Sequence, residues 1–267
     1  MDGAFRRVPF YRDQWVAAGR ALDRPEPTES AALAGQAHRL CPFARPFDPA
    51  AEPSPWIGDG RSLRDALALA GAPRRAPVLE VRAAVLDRRS LGRFPWTGPR
   101  YGVLLAPGAR VVDDGRRREL NAVALRLAAR AGRAVVVGER AAVEALLPDL
   151  DGVEVTVVCR VTAGEAVRAG ETVRAGEAVR AGEAALAHDP HLGYFAATVP
   201  GCGGAHLLWR DFHARMADRG PGRVPAVTAL RRSRPVLVDV VPHGAEELGL
   251  DLCPRHGTPV LVPGRTN

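Results

Sequence analysis

The sequence contains no lysine: all 37 of its Lys/Arg positions are arginine. That absence excludes lysine chemistry, including Schiff bases, a P-loop lysine and the catalytic lysine of acyl-adenylating enzymes. Beside abundant Ala, Gly and Pro it reads most simply as a coding bias, as in a GC-rich genome. Aromatic residues make up 5% of the chain and do not interleave with arginine, so no base-stacking platform is present. No apolar run approaches the ~20 residues of a membrane span, so a membrane partner is not expected. Four scattered cysteines are too few for a disulfide scaffold in 267 residues. Residues 1–7 have no apolar core and do not read as a secretory signal. The expected location is the cytoplasm, with reduced thiols.

The net charge is +7 and the pI about 10.1, which is compatible with a polyanionic partner. Arg116, Arg117 and Arg118, however, sit beside Asp113, Asp114 and Glu119. Arg231, Arg232 and Arg234 form the one dense cluster without acid nearby in sequence. A solvated arginine face is the expectation, and a nucleic-acid-binding module the disfavoured alternative.

Residues 1–100 read as an irregular, Pro-rich segment with an aromatic entry at 8–19. Leu63, Leu67 and Leu69 suggest a short helix ended at Gly71. Residues 101–160 are periodic. An apolar strand at 101–106 precedes a helix capped by Asp113 or Asp114. Its buried face is predicted at Leu120, Val123, Ala124, Leu127, Ala128 and Ala131, and Gly132 is placed to end it. Strands follow at 135–137 and 153–158, with a short helix at 141–147 between them. This β-α-β-α-β order predicts a parallel sheet. No Gly-x-Gly-x-x-Gly is present, so a dinucleotide fingerprint is lacking. Residues 188–267 read as β-rich. The expected class is α/β, a parallel-sheet Rossmann-like middle with a β-rich C-terminal segment.

Between these parts, in the 161–187 segment, Ala-Gly-Glu-Ala-Val-Arg repeats four times with variants across 163–186. Four hexapeptides are too few to stack as a β-helix. A biotin- or lipoate-type hairpin needs a lysine. Glycine at every sixth position costs a helix about 1 kcal/mol each relative to alanine. The block therefore reads as a low-complexity loop.

Two motifs carry chemistry. Cys202-x3-His206 and Cys253-x2-His256 are separated by 46 residues. Two thiols and two imidazoles complete a tetrahedral Zn²⁺ ligand set, and a closed set implies a structural metal. The alternative is two unrelated Cys/His pairs with buried thiols. His188, Asp189 and His191, with Tyr194 close by, concentrate titratable groups just after the repeat. They are the candidate acid/base residues, against the alternative of a polar turn started by Asp189-Pro190.

Several segments together resemble a family. Val8-Pro9-Phe10-Tyr11-Arg12, then Ala17-Ala18-Gly19, resembles the entry of adenylate-forming enzymes of the phenylacetate-CoA ligase type. Cys202-Gly203-Gly204-Ala205-His206 with Asp211, Val227-Thr228-Ala229-Leu230 with Pro235-Val236-Leu237, and Cys253-Pro254-Arg255-His256-Gly257 resemble the end of their large domain. The nearest subgroup is the naturally truncated kind linked to phenazine-antibiotic biosynthesis. The resemblance implies an aromatic carboxylic acid as substrate, ATP as cofactor and a structural zinc on the cysteines and histidines. The departures bear on ATP. The Ser/Thr/Gly-rich phosphate loop ending in lysine is missing. His188 to Tyr194 stand where the family has Tyr-Gly-x-Thr/Ser-Glu. His243 falls at the ribose-binding aspartate, and the small C-terminal domain with its second lysine is absent.

The expectation is a diverged adenylate-forming-like protein handling an aromatic acid or its activated form. If active, it is an acyl-activating ligase or transferase without the usual phosphate loop and lysines. ATP-dependent adenylation by the chain itself is not expected. The alternative is a non-catalytic, zinc-stabilised partner of a biosynthetic enzyme.

Overall fold

The computed structural model describes residues 2–19, 23–48, 60–85, 101–111, 114–174, 184–220 and 222–264. Helices α1 (Asp2–Arg7) and α2 (Pro9–Ala17) open the chain. Pro9 suits the first turn of α2, where its missing N–H removes no helical bond. Tyr11 is buried, and its hydroxyl accepts from the Val238 N–H at 2.7 Å and donates to the Val236 carbonyl at 3.2 Å. The aromatic entry thus clamps a segment more than 200 residues away. Strand β1 (Thr28–Glu29) follows, then α3 (Ala37–Leu40) and α4 (Gly60–Leu69). Leu63, Ala66 and Leu67 form the buried stripe of α4 at helical spacing, and buried Ala70 follows its end.

The chain then runs β2 (Val78–Val85), β3 (Tyr101–Val111), α5 (Asp114–Ala131), β4 (Arg133–Gly138), α6 (Arg140–Glu144), β5 (Glu154–Val161) and α7 (Ala163–Arg174). After these come β6 (Ala184–Asp189), β7 (Gly193–Thr198), β8 (Ala205–Leu207), β9 (Phe212–Arg219) and β10 (Gly222–Ala229). The last strands are β11 (Val240–Val241), β12 (Leu248–Leu252) and β13 (Pro259–Pro263). Nine strands make one sheet in the order β12-β13-β8-β7-β6-β5-β4-β2-β3. From β3 to β6 every pairing is parallel, and from β6 to β12 every pairing is antiparallel. A second sheet has the order β1-β11-β10-β9. The expected α/β class, with its parallel middle and β-rich C-terminal part, stands.

Three expectations are corrected. First, the span taken as irregular contains β2. Its Val78-Leu79-Glu80-Val81 run pairs with both β3 and β4 and is buried on both faces. Two charged residues inside an apolar run hid it. Second, Val123 of α5 points outward at 49% exposure, while Ala124 and Ala128 are fully buried. The packed stripe is narrower than the apolar pattern because β3 approaches closely. A Cβ on Gly102 would lie 3.0 Å from that of Ala124.

Third, the first two repeats are a helix. Ala163, Ala166, Val167 and Gly170 are buried at i, i+3, i+4 and i+7. Thr162 and Glu165 form a reciprocal cap: the Thr162 N–H donates to the Glu165 carboxylate at 2.8 Å, and the Glu165 N–H to Thr162 Oγ1 at 3.4 Å. The glycines cost propensity but permit backbone contact. A Cβ at Gly164 would meet the Gly244 carbonyl at 2.8 Å, and one at Gly170 the Gly204 carbonyl at 2.2 Å. The tail of the repeat, Ala184-Ala185-Leu186, starts β6 in the centre of the large sheet. Residues 175–183 lie outside the described residues.

Candidate functional site

A cleft of about 740 Å³ opens at the carboxyl ends of β4, β5 and β6, the edge where open α/β sheets bind ligands. Glu139 and Arg140 line it from the start of α6, Arg160 from β5, Arg168 from α7, and His188 and Pro190 from β6 and its turn. His243 closes the far side, with Val161, Ala169 and Ala185 as apolar wall.

Beneath the cleft lies a buried polar network from four strands. Glu80 of β2 is at its centre. It accepts from Arg82 Nε at 3.0 Å, from the second Arg82 nitrogen at 2.8 Å, from the Tyr194 hydroxyl at 2.9 Å, and from the Tyr101 hydroxyl. Burial works to raise the Glu80 pKa, but Arg82 and the hydroxyl donors overcome it and bring the carboxyl down to about 2. Burial and the Glu80 charge hold Tyr194 and Tyr101 protonated, well above an ordinary tyrosine. Arg160 lies within electrostatic reach of Tyr194 and Glu80 and pairs with Glu139 at 3.3 Å. Burial opposes its charge, yet Tyr194, Glu80 and Glu139 raise its pKa above the usual guanidinium value.

The structure divides the three candidate acid/base residues. Only His188 lines the cleft. Its ring packs edge-on to Tyr194 with centroids 4.8 Å apart. Burial and Arg160 lower its pKa to about 4, so the imidazole is neutral at pH 7. Asp189 is fully buried. It accepts from the Ser30 hydroxyl at 2.7 Å, from the His191 and Leu192 N–H groups at 2.8 and 3.1 Å, and from the His243 N–H at 3.1 Å. Those bonds hold the β6–β7 turn. His191 sits on the side of Ser30, its Nδ1 2.8 Å from the hydroxyl oxygen. Burial lowers its pKa. Ser30 donates to Asp189 and not to the imidazole, so this trio is not arranged as an activated serine.

The sequence pattern marks Tyr194 beside His188, but not Glu80, Arg82, Tyr101 or Arg160. The available signal was Glu80-x-Arg82, an i, i+2 pair that shares one face once β2 is read as a strand. The arginine cluster at 231–234 is engaged within the protein. Arg231 pairs with Asp211 at 3.3 Å, Arg232 donates to the carbonyls of His191 and Leu192, and Arg234 donates to that of Pro46.

The second site is the Cys/His cluster. Donor atoms of Cys202, His206, Cys253 and His256 all lie within 4.8 Å of one another. Antiparallel β8 and β13 bring the two motifs together, with His206 opposite Val260. The Cys202 and Cys253 sulfurs lie 3.4 and 3.5 Å from His256 Nδ1. His206 is 1% exposed; Thr258 Oγ1 lies 3.2 Å from its Nδ1, and its buried Nε2 has no hydrogen-bond partner. An oriented imidazole with an unsatisfied nitrogen is the arrangement of a metal ligand with its supporting bond. Burial works to raise the Cys253 pKa, but the His256 and Arg255 N–H groups bring it below the ordinary thiol value. The donor set therefore fits a tetrahedral Zn²⁺.

No protein-family model matches the sequence, and no curated protein matches it. Solved structures do. A crystal structure of an open conformation of 2-hydroxyisobutyryl-CoA ligase, in complex with 2-HIB-AMP and CoA, aligns with a TM-score of 0.56 at 16% identity. It spans 98% of this chain and 71% of that one. The same ligase in the postadenylation state with 2-HIB-AMP aligns with a TM-score of 0.53, also at 16% identity, over 98% of this chain and 64% of that one. The chain shares the fold of these adenylate-forming CoA ligases. Among the described residues no helix is long and apolar enough to cross a membrane.

Proposed function

We propose that this chain is a diverged adenylate-forming-like protein that binds a small carboxylic acid, or its activated form, in the cleft at the carboxyl edge of the parallel strands. The observation that carries the reading is that cleft, set in a ligase-type fold and lined by Arg140, Arg160 and Arg168. The structural neighbours hold 2-HIB-AMP, which supports an acid as ligand class. The sequence likeness to the phenazine-linked subgroup favours an aromatic acid of secondary metabolism.

Adenylation by this chain alone is not part of the proposal. No lysine is available to neutralise developing phosphate charge. The amino terminus of α7, which faces the cleft, is already capped by the Glu165 carboxylate. A phosphate there would meet a fixed negative charge. The Cys202–His206–Cys253–His256 cluster is proposed to hold a structural zinc. Its closed ligand set also suits the second reading, a zinc-stabilised partner of a biosynthetic enzyme.

ATP–pyrophosphate exchange, run beside direct titration of aromatic acids including phenazine carboxylates, separates these readings. Saturable acid binding without robust exchange is the expected result. Robust exchange by the wild type, abolished in His188→Ala, would show a rebuilt adenylation site. Absence of acid binding favours the partner reading.

A further inference from the structure

We propose that Arg160 is the anion anchor of the cleft, that the ligand group it takes is a carboxylate, and that Glu139 is an internal competitor for the same position. The inference rests on the acid-binding reading above and deepens it.

Two of the carboxylates near the cleft are already satisfied within the protein. Glu80 is consumed by Arg82, Tyr101 and Tyr194 inside the protein. Glu165 is consumed by the α7 cap. Arg160 differs. Its side chain is only 16% exposed, and the group influencing it from the protein interior is a neutral phenol, Tyr194. Its carboxylate partner is Glu139, whose side chain is 70% exposed and whose oxygen is 3.3 Å away. A long, single contact to a solvated carboxylate is a weak pair, worth about 0–1 kcal/mol. It occupies the place an external carboxylate would take.

The surroundings suit that exchange. Tyr194 is fixed by Glu80, and burial of all but 16% of the Arg160 side chain restricts the guanidinium before a ligand arrives. His188 beside it is neutral and brings no competing charge. A fixed planar guanidinium matches a carboxylate in two parallel hydrogen bonds. Val161, Ala169, Ala185 and Pro190 provide apolar wall for the remainder of the acid, and the volume of about 740 Å³ lies in the range of small-molecule sites.

The two substitutions act in opposite directions, which makes the test specific. Benzoate is titrated calorimetrically into the zinc-loaded wild type and the Arg160→Gln, Arg160→Lys and Glu139→Gln variants, with benzamide and inorganic phosphate as controls. Arg160→Gln is expected to weaken benzoate binding at least ~10-fold, the loss of a charged hydrogen-bond pair. Arg160→Lys retains the charge without the planar fork and falls between. Glu139→Gln is expected to tighten binding by roughly 2–5-fold, the size of a surface pair removed. Benzamide, without the charge, should bind far more weakly than benzoate. Should Arg160→Gln fail to fold, Glu139→Gln and Arg160→Lys carry the test alone. Benzoate binding that is indifferent to Arg160 and Glu139 would overturn the anchor and leave the acid reading standing. Phosphate binding tighter than benzoate through Arg160 would overturn the ligand class. No binding of benzoate by the wild type or by Glu139→Gln would bring down both.

Discussion

The Cys/His cluster and the strand-edge cleft belong to the two halves of one sheet, and they are assembled in opposite ways. The cluster comes from two short motifs, each contributing ligands three or four residues apart, joined by antiparallel β8 and β13. The cleft and its support draw on β2, β3, β5, β6 and β7, so Glu80 meets Tyr194 across 114 residues of chain. The cluster's ligand identities are a property of local spacing. The cleft's electrostatics exist only after strand order and register are set. Helix α7 touches both, through Gly164 against Gly244 beside the cleft and Gly170 against Gly204 in the loop between Cys202 and His206.

The comparison is broken most directly at the metal. If the cluster holds structural zinc, Cys253→Ser should lose close to one zinc per chain and several kcal/mol of stability. Its melting temperature should fall by on the order of 10 °C. Metal analysis finding well under one zinc per chain in the wild type would remove the metal from the account.

On the cleft side the largest effect is expected from Glu80→Gln. It leaves Arg82 buried without its carboxylate, a change that typically costs about 3–5 kcal/mol. Chemical denaturation measures it, and a loss under about 1 kcal/mol would show that the network is hydrated and not central.

The acid limb of stability comes next. Above its ordinary pKa of 6.5, His188 is neutral in both folded and unfolded chains. As the pH falls below 6.5 the unfolded chain binds the proton first, because burial and Arg160 hold the folded pKa near 4. Stability is therefore full above pH 6.5 and lost progressively toward pH 4, by at most about 3 kcal/mol. His188→Gln should flatten that limb, and an unchanged profile would contradict the shift.

Smaller effects test the bridge between the regions. Gly170→Ala places a methyl against the Gly204 carbonyl and should cost about 1–3 kcal/mol by overpacking. Deleting one hexapeptide at 175–180, outside the described residues, tests the sequence expectation of a low-complexity loop, which predicts a cost well under about 1 kcal/mol. A deletion more damaging than Gly170→Ala would mean that the later repeats are packed structure.

These contrasts explain what was legible in the sequence. The Cys/His pairs and the α5–β4–β5 layer depend on local spacing or period, and the sequence shows both; the Tyr11 clamp, which reaches across more than 200 residues, is not visible in it. Strand β2 was hidden because Glu80 and Arg82 interrupt its apolar run, although they are the residues that support the cleft. Helix α7 does not show in the repeat because glycine lowers helix propensity, while its use in close backbone contact is a tertiary property. Only the backbone of Gly204 and Gly244 explains why small residues recur there. His188, Asp189 and His191 are adjacent in sequence, but β6 alternation and the turn send them to different surroundings. Arg160 carries no sequence signal at all, since nothing near it in the chain predicts Tyr194 or Glu139.

The most direct test of the central claim is a crystal structure determined with benzoate at a concentration that saturates binding in solution. The account predicts its carboxylate in the cleft between α6, α7 and β6, paired with Arg160, and Glu139 turned away. Benzoate bound elsewhere, or an empty cleft in a crystal whose protein is saturated in solution, would contradict it.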